Sequence, residues 1–335
     1  MKALVGVPRG RLFDTFFPEE NIRLAENLGQ IVWTDSTRHL TEDELAARIG
    51  DCDVYISVWG SPGLSDKVLA QAPNLKLAVG LGSSVARLIC DGMWERGIRV
   101  TSGYRYYSES TAEGAIAYML AALRRIPYYN TQLQKERIWY GADTGNDGLL
   151  YKTVGVVSYG GVGRNLVKML SRFPVTLKVY DIQPLPKEDK TAYGFEQVGL
   201  EELFSTCDVI SLHTPYNPAT HHLINGQLMA RMKPGALLVN TARGAILDQA
   251  ALTALLQQGR IRAALDVYER EPLAADDPLM ELDNAFLMPH HGGVTVNLRR
   301  VLAAELLRES ADFIDRGVPL FNEIPYELAK NMTRD

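Results

Sequence analysis

Short apolar, β-branched runs recur along the chain at intervals that leave room for one helix between each. In the first hundred residues, Ala3–Val7, Gln30–Trp33, Val54–Val58, Leu75–Val79 and Arg99–Thr101 have this character and predict strands. Thr41 with Glu44 three residues on spells a capping box, in which each side chain satisfies an amide at a helix N-terminus. A helix is therefore expected between the second and third strands. A second series, Thr153–Val157, Leu177–Tyr180, Val209–Leu212, Leu237–Asn240 and Ala263–Leu265, is spaced by helix-length segments such as Asp248–Gln257. Strands this uniformly apolar, alternating with helices, belong in parallel sheets covered on both faces. The fold class is α/β, with two Rossmann-like parallel-sheet domains.

Between the two series, Ser110-Thr111-Ala112-Glu113 reads as another capping box, followed by Ile116, Met119, Leu120 and Leu123 on one face until Pro127. The abundance of Ala and Leu there predicts burial against something large, and a second copy of the chain is a candidate. After the second series, Leu298–Arg316 has a helical apolar pattern. It is expected to return to the first domain, so that the chain crosses twice, with hinges near Ser102-Gly103 and Gly293–Asn297. The expected boundaries are 1–102 with 298–335 for the smaller domain and 103–297 for the larger, inserted one. The chain stops soon after the return helix, so no fused regulatory domain is expected.

Composition narrows the function. Hydrophobic residues make up 46% of 335, enough for two cores. Thirty-five Lys and Arg against 40 Asp and Glu give a formal charge of -5, with the signs interspersed and no basic block. That argues against nucleic acid and anionic membranes as partners. The start of the chain has too short an apolar run for a signal peptide, and no run is long enough to span a bilayer, so a cytoplasmic protein is expected. Cys52, Cys90 and Cys207 form no CxxC pair and sit among apolar neighbours, which suits core fillers in a reducing compartment. Neither a disulfide nor a metal site is expected.

The segment Val154-Gly155-Val156-Val157-Ser158-Tyr159-Gly160-Gly161-Val162-Gly163-Arg164 reads as a strand, a tight Gly-rich turn and the start of a helix over Asn165–Phe173. Such a turn brings backbone N–H groups and a helix N-terminus up to a pyrophosphate. Gly160 allows the close approach, and Gly163 lets the helix pack on the strand. Ser158 stands where the first glycine of the fingerprint is usual, so the motif is imperfect. Asp181, at the end of the next strand, suits a ribose 2'-hydroxyl and would repel a 2'-phosphate, which favours NAD (NADH). A bland alternative is an Asp that caps the Gln183-Pro184 turn.

Three further segments each fall at or after a strand end: Asn240-Thr241-Ala242-Arg243-Gly244, Leu265-Asp266-Val267-Tyr268-Glu269-Arg270-Glu271-Pro272, and Met288-Pro289-His290-His291-Gly292-Gly293. Together with Ser211-Leu212-His213-Thr214-Pro215 and the Gly-rich turn, they make a chain that resembles the D-isomer-specific 2-hydroxyacid dehydrogenases from about Asp51 to about Arg316. The resemblance implies an NAD-binding Rossmann domain inserted into a smaller, flavodoxin-like substrate-binding domain. It also implies hydride transfer between nicotinamide and C2 of a small 2-oxo or 2-hydroxy acid; a homodimer is expected from the Ala- and Leu-rich helix after Ser110.

By that resemblance Arg243 would bind the substrate carboxylate and polarise the carbonyl, since a guanidinium offers two parallel donors. His290 would be the acid/base, and Glu271 would hold its other ring nitrogen, favouring the protonated ring. His291 offers the same chemistry, but the family's register favours His290. Asp266 would accept from the nicotinamide carboxamide. Gly160, Gly161, Val162, Gly163, His213, Thr214, Pro215, Thr241, Ala242 and Gly292 would line the cofactor, with Thr111 touching the nicotinamide. His39, His221 and His222 look structural or solvent-facing, and no histidine has neighbours suited to zinc.

The chain departs from its relatives in two places. Where many have a Gly-Tyr-Asp-Asn type turn, it reads Gly80-Leu81-Gly82-Ser83-Ser84-Val85-Ala86-Arg87, whose Leu81, Gly82 and Ser83 amides are expected still to meet the carboxylate. Where Asn-x-Pro-Gly is common at the hinge, it has Ser102-Gly103-Tyr104-Arg105-Tyr106-Tyr107. Arg105 there, and Trp59 after the third strand, are candidate substrate contacts, or else packed hinge and core. Two rival readings follow: a reductase for a phosphorylated or phosphonate-bearing 2-oxo acid that uses Arg87 or Arg105, and a non-catalytic NAD(H)-sensing protein.

Overall fold

Apolar runs at this spacing do fold as parallel strands with helices laid over both faces. The computed structural model describes residues 1–139 and 145–332, and the chain divides into two units, Met1–Tyr107 with Val294–Asp335, and Ser108–Gly293.

In the first unit the strands are β1 (Lys2–Val5), β2 (Gln30–Trp33), β3 (Val54–Ser57), β4 (Leu77–Gly80) and β5 (Arg99–Ser102). They pair in parallel in the order β2-β1-β3-β4-β5. This is the flavodoxin-like order, and the winding reverses between β1 and β3, where such sheets open a crevice at their carboxyl ends. Both faces are buried: Ala3 and Val5 of β1 join one core layer, Leu4 the other. The expected capping box is present, for Thr41 Oγ1 accepts from the Glu44 amide and the Glu44 carboxylate accepts from the Thr41 amide. The return helix begins two residues earlier than read, at Val296, and runs to Arg316. It sends Leu302, Ala303, Leu306 and Leu307 into the layer that holds Ala3 and Val5.

The second unit contains β6 (Thr153–Val157), β7 (Thr176–Tyr180), β8 (Phe195–Gln197), β9 (Val209–Leu212), β10 (Leu237–Asn240), β11 (Arg262–Leu265) and β12 (Ala285–Leu287). All pairs are parallel, in the order β12-β11-β10-β9-β6-β7-β8. The winding reverses between β6 and β9. In β10, Leu237 and Val239 enter one layer and Leu238 the other, which is why the strand reads as an uninterrupted apolar run. The two edge strands, β8 and β12, are three residues long and escaped the sequence reading.

The segment between the two series differs from expectation. Ser110 does not cap a helix, because one 20-residue helix already runs from Tyr104 to Leu123. An N-cap needs extended backbone, and this serine has helical neighbours on both sides. Its buried hydroxyl donates to the Gly293 carbonyl instead, at 3.1 Å. Pro127 does not end that helix either. It sits in the first turn of a separate helix, Ile126–Thr131, where a missing N–H costs nothing. The Ser102-Gly103 hinge is the end of β5 and the residue before the long helix, and the division between units falls within that helix, after Tyr107.

Candidate active site

Strand β6 ends at Val157, and the chain turns through Ser158-Tyr159-Gly160 into the helix Gly161–Leu170, which starts earlier than the Asn165 read from sequence. Ser158 takes a φ of +77°, a conformation that glycine adopts freely and serine at some cost. Its hydroxyl meets the Thr214 hydroxyl at 2.9 Å, which ties the turn to the end of β9. Gly163 has no room for a side chain, since a Cβ would lie 2.0 Å from the Ser158 carbonyl oxygen. At Gly160 a Cβ would meet nothing within 4 Å, and no side chain caps the helix it begins. An open, uncapped helix N-terminus behind a glycine is a ready anion site.

The surroundings suit a dinucleotide. Asp181 follows β7 and accepts from the Tyr159 amide of the turn at 2.7 Å and from the Gln183 amide at 3.0 Å. It therefore does cap the Gln183-Pro184 turn, and it also braces the Gly-rich loop. Past β9 and β10, two buried polar atoms, His213 Nδ1 and Thr241 Oγ1, have no hydrogen-bond partner among the described residues. Burial pushes the His213 imidazole down to about 3, so the ring is neutral, with Nε2 against Ser211 Oγ at 2.9 Å. Thr214 is buried, Pro215 exposed, Val162 half-buried and Thr111 half-buried within the long helix.

These glycines give a paired prediction. Gly163→Ala forces a Cβ into backbone and should cost about 3 kcal/mol or more, an apparent Tm lower by roughly 5–10 °C. Gly160→Ala should melt close to the parent, yet bind NADH more weakly by isothermal calorimetry. Equal melting of the two variants would contradict this account of the turn.

The other residues converge at the far half of the same sheet. Strands β10, β11 and β12 are neighbours, and the segments that follow them carry Arg243, Asp266 with Glu271, and His290 respectively. Asn240, the last residue of β10, clamps the arginine's backbone: its side-chain oxygen accepts from the Ala242 amide at 3.0 Å and its nitrogen donates to the Arg243 carbonyl at 3.1 Å. Gly244 lies directly on the chain beyond β11, where a Cβ would fall 1.9 Å from the Tyr268 carbonyl carbon. The Arg243 and Glu271 segments are thus pressed together. Arg243 Nη1 donates to the Ala242 carbonyl at 2.7 Å.

Glu271 Oε2 meets His290 Nδ1 at 2.6 Å, while its Oε1 accepts from the Tyr268 amide at 3.0 Å. One carboxylate oxygen is anchored to backbone, and the other orients the ring. His290 remains half-exposed, and its Nε2 is turned away from the carboxylate. The His290 backbone has a φ of +57°, an uncommon conformation that persists only where the surroundings enforce it. Here they do: the Asp266 carbonyl accepts from the His290 amide at 2.9 Å, and the Asp266 carboxylate accepts from the His291 and Gly292 amides at 2.7 and 2.8 Å. The Tyr118 hydroxyl adds a fourth hydrogen bond to that aspartate, which is 1% exposed. A role for Asp266 in shaping this turn was not evident in the sequence, nor were Asn240 and Tyr118. The His291 ring, exposed, has no partner among the described residues, so geometry separates the two adjacent histidines. A second histidine–carboxylate pair, His222 with Glu269 at 2.7 Å, has His221 stacked on it.

In the first unit the candidates fare differently. Leu81 is corrected: its amide donates to the Ser57 carbonyl at 2.8 Å, and its side chain is in the core, so it has nothing to offer a carboxylate. The amides of Gly82 and Ser83 donate to no acceptor among the described residues. Arg105 lays its guanidinium over the Phe321 ring, 4.2 Å from the centroid, and Arg87 is exposed. Trp59 is 43% exposed. Among the described residues there is no metal-binding group of three or more His, Cys, Asp or Glu, and no helix is long and apolar enough to cross a membrane.

The chain is similar to known proteins across most of its length. The family described as D-isomer specific 2-hydroxyacid dehydrogenase, NAD binding domain, matches residues 116–292. A D-3-phosphoglycerate dehydrogenase of Methanocaldococcus jannaschii is 34% identical over 316 residues, which is 94% of this chain but 57% of that enzyme. The chain therefore spans little more than half the length of that relative. A hydroxypyruvate reductase of Thermotoga maritima is 33% identical over 277 residues, 82% of this chain and 89% of the relative. The crystal structure of the TT0316 protein from Thermus thermophilus superimposes with a TM-score of 0.78 at 29% identity, covering 97% of this chain and 100% of that one. With the family's cofactor domain spread over more than half its length and relatives alike across most of it, the chain belongs to the D-isomer specific 2-hydroxyacid dehydrogenases, NAD-dependent oxidoreductases that act on a CH–OH group.

Proposed function

We propose that this protein reduces a small 2-oxo acid, and oxidises the matching D-2-hydroxy acid, with Arg243, Glu271 and His290 as its catalytic residues. The observation that carries the reading is the 2.6 Å contact between Glu271 and His290 on strand ends adjacent to the one that bears Arg243. Gly160–Gly163, Asp181, Thr214 and Thr241 would hold NAD, which when bound supplies or accepts the hydride. Arg243 binds the substrate carboxylate through its fork of donors and draws electron density toward the carbonyl oxygen. His290 gives a proton from Nε2 to that oxygen during reduction and takes it back during oxidation. Glu271 keeps the ring in place and balances its charge.

Asp181 supports NAD over NADP, because its carboxylate sits where a 2'-phosphate would be repelled. A homodimer is supported by the large apolar side chains left exposed at Ile126, Leu133, Ile138, Trp139, Leu150 and Tyr151 in the second unit. We place the protein in the cytoplasm, where its three thiols would stay reduced.

The test is NADH oxidation, followed at 340 nm, against glyoxylate, hydroxypyruvate, pyruvate, phosphonopyruvate and aromatic 2-oxo acids. Turnover on at least one is expected. Tight NADH binding with no reduction of any would replace this reading with a cofactor-sensing one.

A further inference from the structure

Beyond the carboxyl ends of β3 and β4, the first unit gathers side chains to which the reaction above gives no task. Trp59 lies two residues past β3, and its indole rests on the carboxylate turn: a Cβ at Gly82 would fall 3.0 Å from Trp59 Nε1. Phe16 and Tyr107 flank the indole, with ring centroids 5.8 and 6.0 Å away. Arg299, in the first turn of the return helix, places its guanidinium carbon 5.4 Å from the Trp59 ring and 5.8 Å from that of Phe16.

The polar atoms of this group are unsatisfied. Arg299 Nε is buried and has no hydrogen-bond partner among the described residues, and the guanidinium forms no ion pair there. The Tyr107 hydroxyl is likewise buried without a partner. Burial raises its pKa, more strongly than the Arg299 charge lowers it, so it stays a neutral phenol able to donate. Neighbouring arginines differ: Arg300 pairs with Glu20, and Arg9 gives its Nε to the Thr34 carbonyl. Buried donors are nearly always satisfied. A cationic donor and a phenolic one, walled by aromatic rings and left open beside a turn with unused amides, are matched by an anionic acceptor.

We propose that Arg299, the Tyr107 hydroxyl and Trp59 form a specificity subsite for a second anionic group, a carboxylate or a phosphate, on a 2-oxo acid whose own carboxylate meets Gly82 and Ser83. The proposal rests on the reading of the chain as a 2-oxo acid reductase. It moves the recognition of a second charge from Arg87 and Arg105 to a residue that the helix Val296–Arg316 supplies.

The parent, Arg299→Met and Tyr107→Phe, each checked for an unchanged melting curve, are assayed with NADH and three substrates. Glyoxylate carries no second group, oxaloacetate carries a carboxylate and phosphonopyruvate a phosphonate. The parent should favour a dianionic substrate, and whichever of the two it favours names the anion. The ratio of its kcat/KM to that for glyoxylate should fall roughly 100-fold in Arg299→Met and about 10-fold in Tyr107→Phe, and Arg299→Lys should recover part of the loss. A parent that prefers glyoxylate, or a ratio that Arg299→Met leaves in place, overturns the subsite. If no 2-oxo acid is reduced, the catalytic reading fails separately. The subsite is then judged by calorimetric titration of D-malate into NADH-loaded protein: a Kd raised roughly 30-fold by Arg299→Met supports it, and equal binding overturns it.

Discussion

His290→Ala is expected to lower kcat by about two to four orders of magnitude while leaving NADH binding near that of the parent. The geometry of the ring is the reason. Nδ1 is committed to Glu271 at 2.6 Å, and the other carboxylate oxygen is tied to the Tyr268 amide, so the imidazole cannot rotate without breaking a charge-assisted contact. Nε2 is the only ring atom left to exchange a proton with substrate. Reduction consumes a proton at that atom and oxidation releases one to it. A backbone φ of +57° at this position adds a control. His290→Asn keeps a residue that tolerates left-handed backbone, so it should preserve the melting temperature better than alanine while being as inactive. Full turnover in either variant would place the acid elsewhere, with His291 the next candidate.

Much of this was legible in the chain, and the limits of legibility have physical causes. Parallel strands buried on both faces must be apolar at every position, which is why Thr153–Val157, Val209–Leu212 and Leu237–Asn240 stand at the ends read from sequence. Edge strands escape that demand. Phe195–Gln197 exposes Glu196, Ala285–Leu287 is only partly buried, and neither carries enough apolar signal to stand out. Local patterns misled where a tertiary neighbour decides: Ser110 and Glu113 have capping-box spacing, yet the helix around them starts at Tyr104 and the serine hydroxyl is claimed by Gly293. The site divides in the same way. Arg243, Glu271 and His290 announce themselves because each ends a strand segment of distinctive order. Tyr118, which holds the carboxylate of Asp266, acts through a contact 148 residues apart that no local window contains, whereas Asn240 reaches only two and three residues along the chain, a clamp whose side-chain geometry sequence alone does not display. Arg299 is the extreme case, an ordinary helix-surface residue until Trp59 and Tyr107 are placed beside it.

Arg243→Lys should lower kcat/KM for the 2-oxo acid by roughly two to three orders of magnitude, the loss typical of removing one preorganised donor from a developing oxyanion. Charge is conserved in this variant, so the effect measures geometry. A guanidinium presents parallel donors to a planar carboxylate and a second edge to the carbonyl oxygen, whereas an ammonium is one point charge on a flexible stem. The backbone beneath the side chain is fixed independently, by the Asn240 clamp on one side and the Gly244 contact with Tyr268 on the other. The lysine variant should accordingly keep its fold and bind NADH as the parent does. Arg243→Ala should be weaker still, and guanidinium ion added to it should restore part of the turnover, because the vacated space lies between a preserved backbone and the substrate. That rescue separates a residue that touches substrate from one that only supports the strand end. Rescue by guanidinium with no comparable effect of methylammonium would complete the case, and a lysine variant as fast as the parent would remove Arg243 from the reaction.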